Sequence, residues 1–113
     1  MNKENVIGAL LADGVDLKTS MLFLAWHDAN RTVWKMFEAK ALKLIASGKE
    51  HWGAKAIFEV IRCERAENEG GQFKDYAVNN NYPAYYARVF ALKYPQHKNF
   101  FEFREVKGLK EAA

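Results

Sequence analysis

Apolar and polar positions alternate most regularly from Asn30 onward. Val33, Trp34, Phe37, Ala41, Leu44 and Ile45 recur at three- and four-residue spacing, and Arg31, Lys35, Glu38 and Lys49 fall on the other side. That is the pattern of an amphipathic helix. Asn30 is a suitable N-cap, and Ser47-Gly48 a suitable stop with Gly48 in the left-handed position just beyond the helix. A second helix is predicted over residues 53–67, where Ala54, Ile57, Phe58, Val60 and Ile61 form the apolar run among Lys55, Glu59, Arg62 and Glu64. Asn68-Glu69-Gly70-Gly71 then breaks it, because paired glycines make helix continuation costly.

Residues 73–78 are too few for an independent helix and contain β-favouring Phe73, Tyr76 and Val78, so a strand is predicted there. Asn79-Asn80-Asn81 ends it. Asn81 can cap a third helix over about residues 82–94, with Pro83 in its first turn and Pro95 enforcing the stop. In residues 100–106, Phe101 and Phe103 alternate with Glu102 and Arg104, the two-residue period of a half-buried strand, closed by Gly108. The order is helix-helix-strand-helix-strand: a mainly α fold with a small β-sheet (α+β), arranged like a winged helix.

Residues 1–19 show no sustained period and contain Gly8, Asp13, Gly14 and Asp16, which suggests a weakly ordered arm with at most one helical turn around residues 6–11. Ser20 can cap a short helix over residues 21–27 that docks Leu22, Phe23 and Trp26 on the core. One domain is therefore expected over residues 1–113, its globular core spanning 20–107.

Composition agrees with a packed core: 113 residues, 50% hydrophobic and 14% aromatic, are unlike a disordered chain. Cys63 is the single cysteine, which excludes an intramolecular disulfide, and within an apolar helix it reads as a packed, inert thiol. No apolar stretch reaches membrane-spanning length and the first residues lack the layout of a secretory signal, so the cytoplasm is the expected compartment. His27, His51 and His97 are far apart, and adjacent His27 and Asp28 point to different sides of any helix. No metal site, cofactor or catalytic constellation is expected, and the chain reads as a non-enzyme.

Charge changes the picture at one end only. Residues 1–70 hold ten Lys/Arg against ten Asp/Glu, whereas residues 71–113 hold seven against four. The excess suggests a surface that prefers polyanions. On the helix at 82–94, Tyr82, Tyr85, Val89 and Leu92 gather on one side as a core face, leaving Ala84, Ala87 and Ala91 opposite, flanked by Arg88 and Tyr94. A ridge of alanines lets a helix approach a bulky partner, as in the major groove. Arg88 then meets guanine or a phosphate, Asn79, Asn80 or Asn81 reads adenine or a phosphate, and Lys74, Lys93, Lys98, Arg104 and Lys107 supply phosphate contacts.

The segment from His51 to Arg62, together with Phe73-Lys74, Asn79 to Tyr82, Tyr86-Ala87-Arg88 and Phe100 to Arg104, resembles a group of small phage and prophage proteins with no assigned activity. The resemblance covers about residues 26–107 and implies a phage or bacterial source. Two functions follow as expectations. The first is a non-enzymatic phage-type protein that binds double-stranded DNA, with a regulatory role and a homodimeric form as its natural extensions. The second is a protein-interaction module or inhibitor of a host enzyme or defence complex, anchored by Trp26, Trp34, Trp52, Tyr85, Tyr86 and Tyr94.

Overall fold

The computed structural model describes residues 2–68 and 81–101. They form α1 (Lys3–Ala12), α2 (Leu17–Ala29), α3 (Arg31–Ala46), α4 (Ala54–Asn68) and α5 (Tyr82–Lys93), followed by a 3₁₀ turn at Pro95–His97. α1 packs on α2 and on α5, α3 on α4, and α4 on α5. The last helix among the described residues is thus held between two helix pairs.

Local chemistry sets the boundaries. Asn2 caps α1 by accepting from the backbone N–H of Glu4 at 2.8 Å, and Asp16 caps α2 by accepting from Thr19 N–H at 2.6 Å. Ser20, read from sequence as a cap, lies one turn inside α2, where its hydroxyl donates back to the Asp16 carbonyl. Asn30 separates α2 from α3, but its amide donates to the Trp26 carbonyl at 2.9 Å and so closes the earlier helix. Gly48 follows α3 at φ +95°, the left-handed geometry expected of it.

The N-terminal arm inferred from sequence is a structural element. Val6 and Leu10 of α1 and Val15 of the following turn are buried in the core. Their helix escaped detection because α1 and α2 carry apolar residues on more than one side, so neither shows a single stripe.

The expected α+β fold, a winged helix with a small sheet, is not what the chain forms: the described residues are helical and include no strand. The strand predicted at 73–78 lies outside the described residues, as do positions 102–106 of the second. At its start, Phe100 and Phe101 are both buried, whereas a half-buried strand would turn one of them outward. Phe101 stacks on Phe37 at 5.2 Å and meets Phe90 edge-on at 5.3 Å. The segment makes an isolated parallel bridge to Trp52, whose N–H donates to the Phe100 carbonyl at 3.1 Å. The two phenylalanines close the core, and the bridge fixes the chain entering α4.

At the centre is Tyr86. Its ring lies 5.1–5.9 Å from those of Phe23, Trp26, His27, Trp34, Phe37 and Phe58, which come from α2, α3 and α4. Tilted and edge-to-face pairs dominate, the arrangement that ring quadrupoles favour.

Candidate functional site

α5 was expected to show a ridge of alanines to a partner, and the structure turns that ridge inward. Tyr82, Tyr85, Tyr86, Val89 and Phe90 are buried, and so is Ala87, at 1% exposure. Ala84 and Ala91 are half-buried, while Leu92, assigned to the core face, is exposed. Small side chains here permit neighbouring elements to pack closely. Ala87, the middle of the ridge, is closed to a groove.

Arg88 is only 6% exposed. Its Nε donates to the Asp13 carboxylate at the end of α1, and its Nη1 donates to the Ala84 carbonyl at 2.9 Å. The guanidinium ties α5 to the turn between α1 and α2, a structural duty that leaves it unable to read a base.

The other predicted contacts fall only partly among the described residues. Lys74, Asn79, Asn80, Arg104 and Lys107 lie outside them. Asn81 is half-buried at the start of α5 without a side-chain cap bond, and Lys98 is exposed beyond the 3₁₀ turn. Lys93 pairs with Glu38 of α3 at 2.5 Å. The rings proposed as interface anchors also turn inward: Trp34, Tyr85 and Tyr86 are buried, Trp26 and Tyr94 half-buried, and Trp52 alone of this set is exposed. Cys63, expected to be packed, is exposed on α4.

No family model, curated protein or solved structure matches this chain. Function has to be read from its own surface. Among the described residues no cluster of three His, Cys, Asp or Glu side chains could hold a metal, and no helix is long and apolar enough to cross a membrane.

The surface holds an apolar face that sequence reasoning passed over. On α2, Phe23, Leu24 and His27 turn inward, yet Leu17, Met21 and Leu22 on the other side are 52%, 56% and 57% exposed and form a shallow groove with Lys18. A helix that is apolar all round belongs inside a larger body. The signal was present in the chain, as residues 21–26 contain no charge.

His27 marks a second place. It is 4% exposed, and its Nδ1 is 2.7 Å from the Tyr86 hydroxyl. Burial holds its pKa below the ordinary 6.5, against a smaller upward pull from Asp28. Because the folded value lies under the unfolded one, the unfolded chain takes up the proton first as pH falls, so the stability contributed by neutral His27 is complete above about pH 6.5 and is lost below it. Thermal unfolding followed across this range should show a decline setting in well above the carboxylate range. His27→Gln should flatten it, and an unchanged slope in that variant would refute the assignment.

Proposed function

We propose that this chain is a non-enzymatic protein-binding module that takes a partner on the outer face of α2. The observation that carries the reading is the exposure of Leu17, Met21 and Leu22 side by side on one face. Apolar residues scattered singly over a surface need no explanation, but neighbours on one helix face form a patch of the kind that marks interaction sites. The occupant is an amphipathic segment of another protein that presents an aliphatic stripe beside a carboxylate. Lys18 lies in the groove with no carboxylate within ion-pairing distance among the described residues, so an acidic flank complements it. A phage-encoded inhibitor of a host complex would act in this way, by occupying a surface.

A photo-crosslinking residue at position 21 tests the reading, with the same residue at Lys55 on α4 as control and a nuclease-treated bacterial lysate as the source of partners. One partner enriched at position 21 is expected, and the purified pair should lose at least roughly tenfold in affinity with Leu22→Glu, as removal of one buried leucine from an interface predicts. Because Leu22 is exposed, that substitution should change stability by no more than about 0.5 kcal/mol. Identical adducts at both positions, or adducts with a second copy of this chain alone, would exclude a distinct partner. Salt-dependent duplex binding that Leu22→Glu leaves intact would instead favour nucleic acid.

A further inference from the structure

A cleft of about 230 Å³ opens where α1, α2, α3 and the end of α5 meet. Its walls carry four cations, Lys3, Arg31, Lys35 and Lys93, and two carboxylates, Asp28 and Glu38. Asp28 accepts from Lys3 Nζ at 2.5 Å and from Arg31 Nη2 at 3.3 Å, which helps to hold its carboxyl below the usual range. Glu38 accepts from Lys93 Nζ at 2.5 Å and from the Tyr94 hydroxyl at 2.7 Å. Burial would raise the Glu38 carboxyl, but these donors outweigh it and keep the group ionised. With both carboxylates engaged, two positive charges remain in excess. Lys35 has no carboxylate within ion-pairing distance among the described residues.

His27, nearly buried at 4% exposure, also lines the cleft. Nδ1 is committed to Tyr86, and Nε2 has no hydrogen-bond partner among the described residues. Nε2 is nevertheless not sealed off, since the described side chains contain one fully enclosed, unpartnered polar atom and it is Trp26 Nε1. A hydrogen bond formed at the edge of a nearly buried ring is strengthened by the low local dielectric.

We propose that this cleft binds the terminal phosphate of a small phosphate monoester, with His27 Nε2–H donating to a phosphate oxygen and Lys35 and Arg31 supplying the charge. A phenol hydroxyl can donate to Nδ1, and in that tautomer the imidazole proton sits on Nε2, the form the proposal requires. Two excess positive charges match a phosphate dianion better than a single carboxylate. Val6, Leu24 and the edge of Trp34 line the rest of the cleft and suit the organic part of the ester. A nucleic-acid backbone fits poorly, because a diester phosphate is tethered on two sides and carries one charge, and so cannot bring bare oxygens down to an imidazole that is 4% exposed. The inference is independent of the α2 groove, with which the cleft shares no residue.

The test is a titration of the isotopically labelled full chain at constant ionic strength, reading the His27 Nε2 resonance by NMR. Inorganic phosphate should shift it saturably, and phenyl phosphate should do so at several-fold lower concentration because its ring reaches the apolar wall. Lys35→Ala, an exposed position, should weaken both roughly tenfold, the effect of one charge-assisted hydrogen bond. Lys55→Ala on α4 should leave them unchanged. No saturable shift with either probe, or an equal loss in both variants, overturns the site. Equal affinity for the two probes would assign it to free phosphate and overturn the ester, and tighter binding of a DNA duplex lacking terminal phosphates would overturn the monoester class.

Discussion

Tyr86→Ala should remove about 3–5 kcal/mol of stability, the usual cost of deleting a large buried aromatic ring. Tyr86 is fully enclosed, and the rings that surround it belong to three other helices, so the lost contacts are those that join the elements to one another. For a domain of this size that is a large share of the total stability, and the folded state should survive only at low temperature. Urea unfolding followed by far-UV circular dichroism measures the loss. Tyr86→Phe separates the ring from its hydroxyl: it keeps the packing, removes the contact to His27 Nδ1 and should cost only about 1–2 kcal/mol. Equal losses in the two variants would mean that the ring is not the keystone described here.

Ala87→Arg should have an effect as large. At 1% exposure there is no room for a longer side chain, and overpacking alone costs about 1–3 kcal/mol. A guanidinium forced into the same place adds several kcal/mol of desolvation on the order found for buried charges. The variant should therefore lose cooperative unfolding or aggregate. Leu92→Arg, five residues along the same helix at an exposed position, should stay within about 0.5 kcal/mol of the wild type. The contrast is informative because the sequence pattern points the other way, with Leu92 inside and Ala87 outside. If Ala87→Arg melts like the wild type, the side of α5 that carries Ala87 is free after all.

That inversion shows where sequence reasoning stops. α3 and α4 were legible because each buries a single side, so the apolar stripe and the polar side separate cleanly on the helix. The limits of α5 were legible too, since Pro83 and Pro95 act through local backbone chemistry that needs no tertiary knowledge, although Asn81 precedes the helix without the side-chain cap bond expected of it. Its orientation was not. Tyr82, Tyr85, Tyr86, Ala87, Arg88, Val89 and Phe90 are buried on every side of the helix, and a wheel drawn for one buried face must then place some core residue in solvent. Arg88 misled for a related reason: a buried, carboxylate-bound arginine and a free one look the same in one dimension, and Asp13 is 75 residues away in sequence.

The candidate sites were harder still. Leu17, Met21 and Leu22 register in the chain as an apolar run, and only the fold shows that Phe23 and Leu24 fill the core and leave those three over. The cleft gathers Lys3, His27, Lys35 and Lys93 from four helices, and no spacing along the chain relates them.

The position of α5 in the chain has a bearing on how the protein is made. A ribosome releases α1 to α4 first, and the tyrosine about which they are arranged emerges only after residue 80. Until then the earlier segments can collapse and form helix, but they have nothing to close around, and their aromatic side chains stay within reach of solvent and of other chains. Folding of this domain is therefore completed only once α5 has emerged, as one event, and the interval before it is when the nascent polypeptide is most open to aggregation or to chaperone capture.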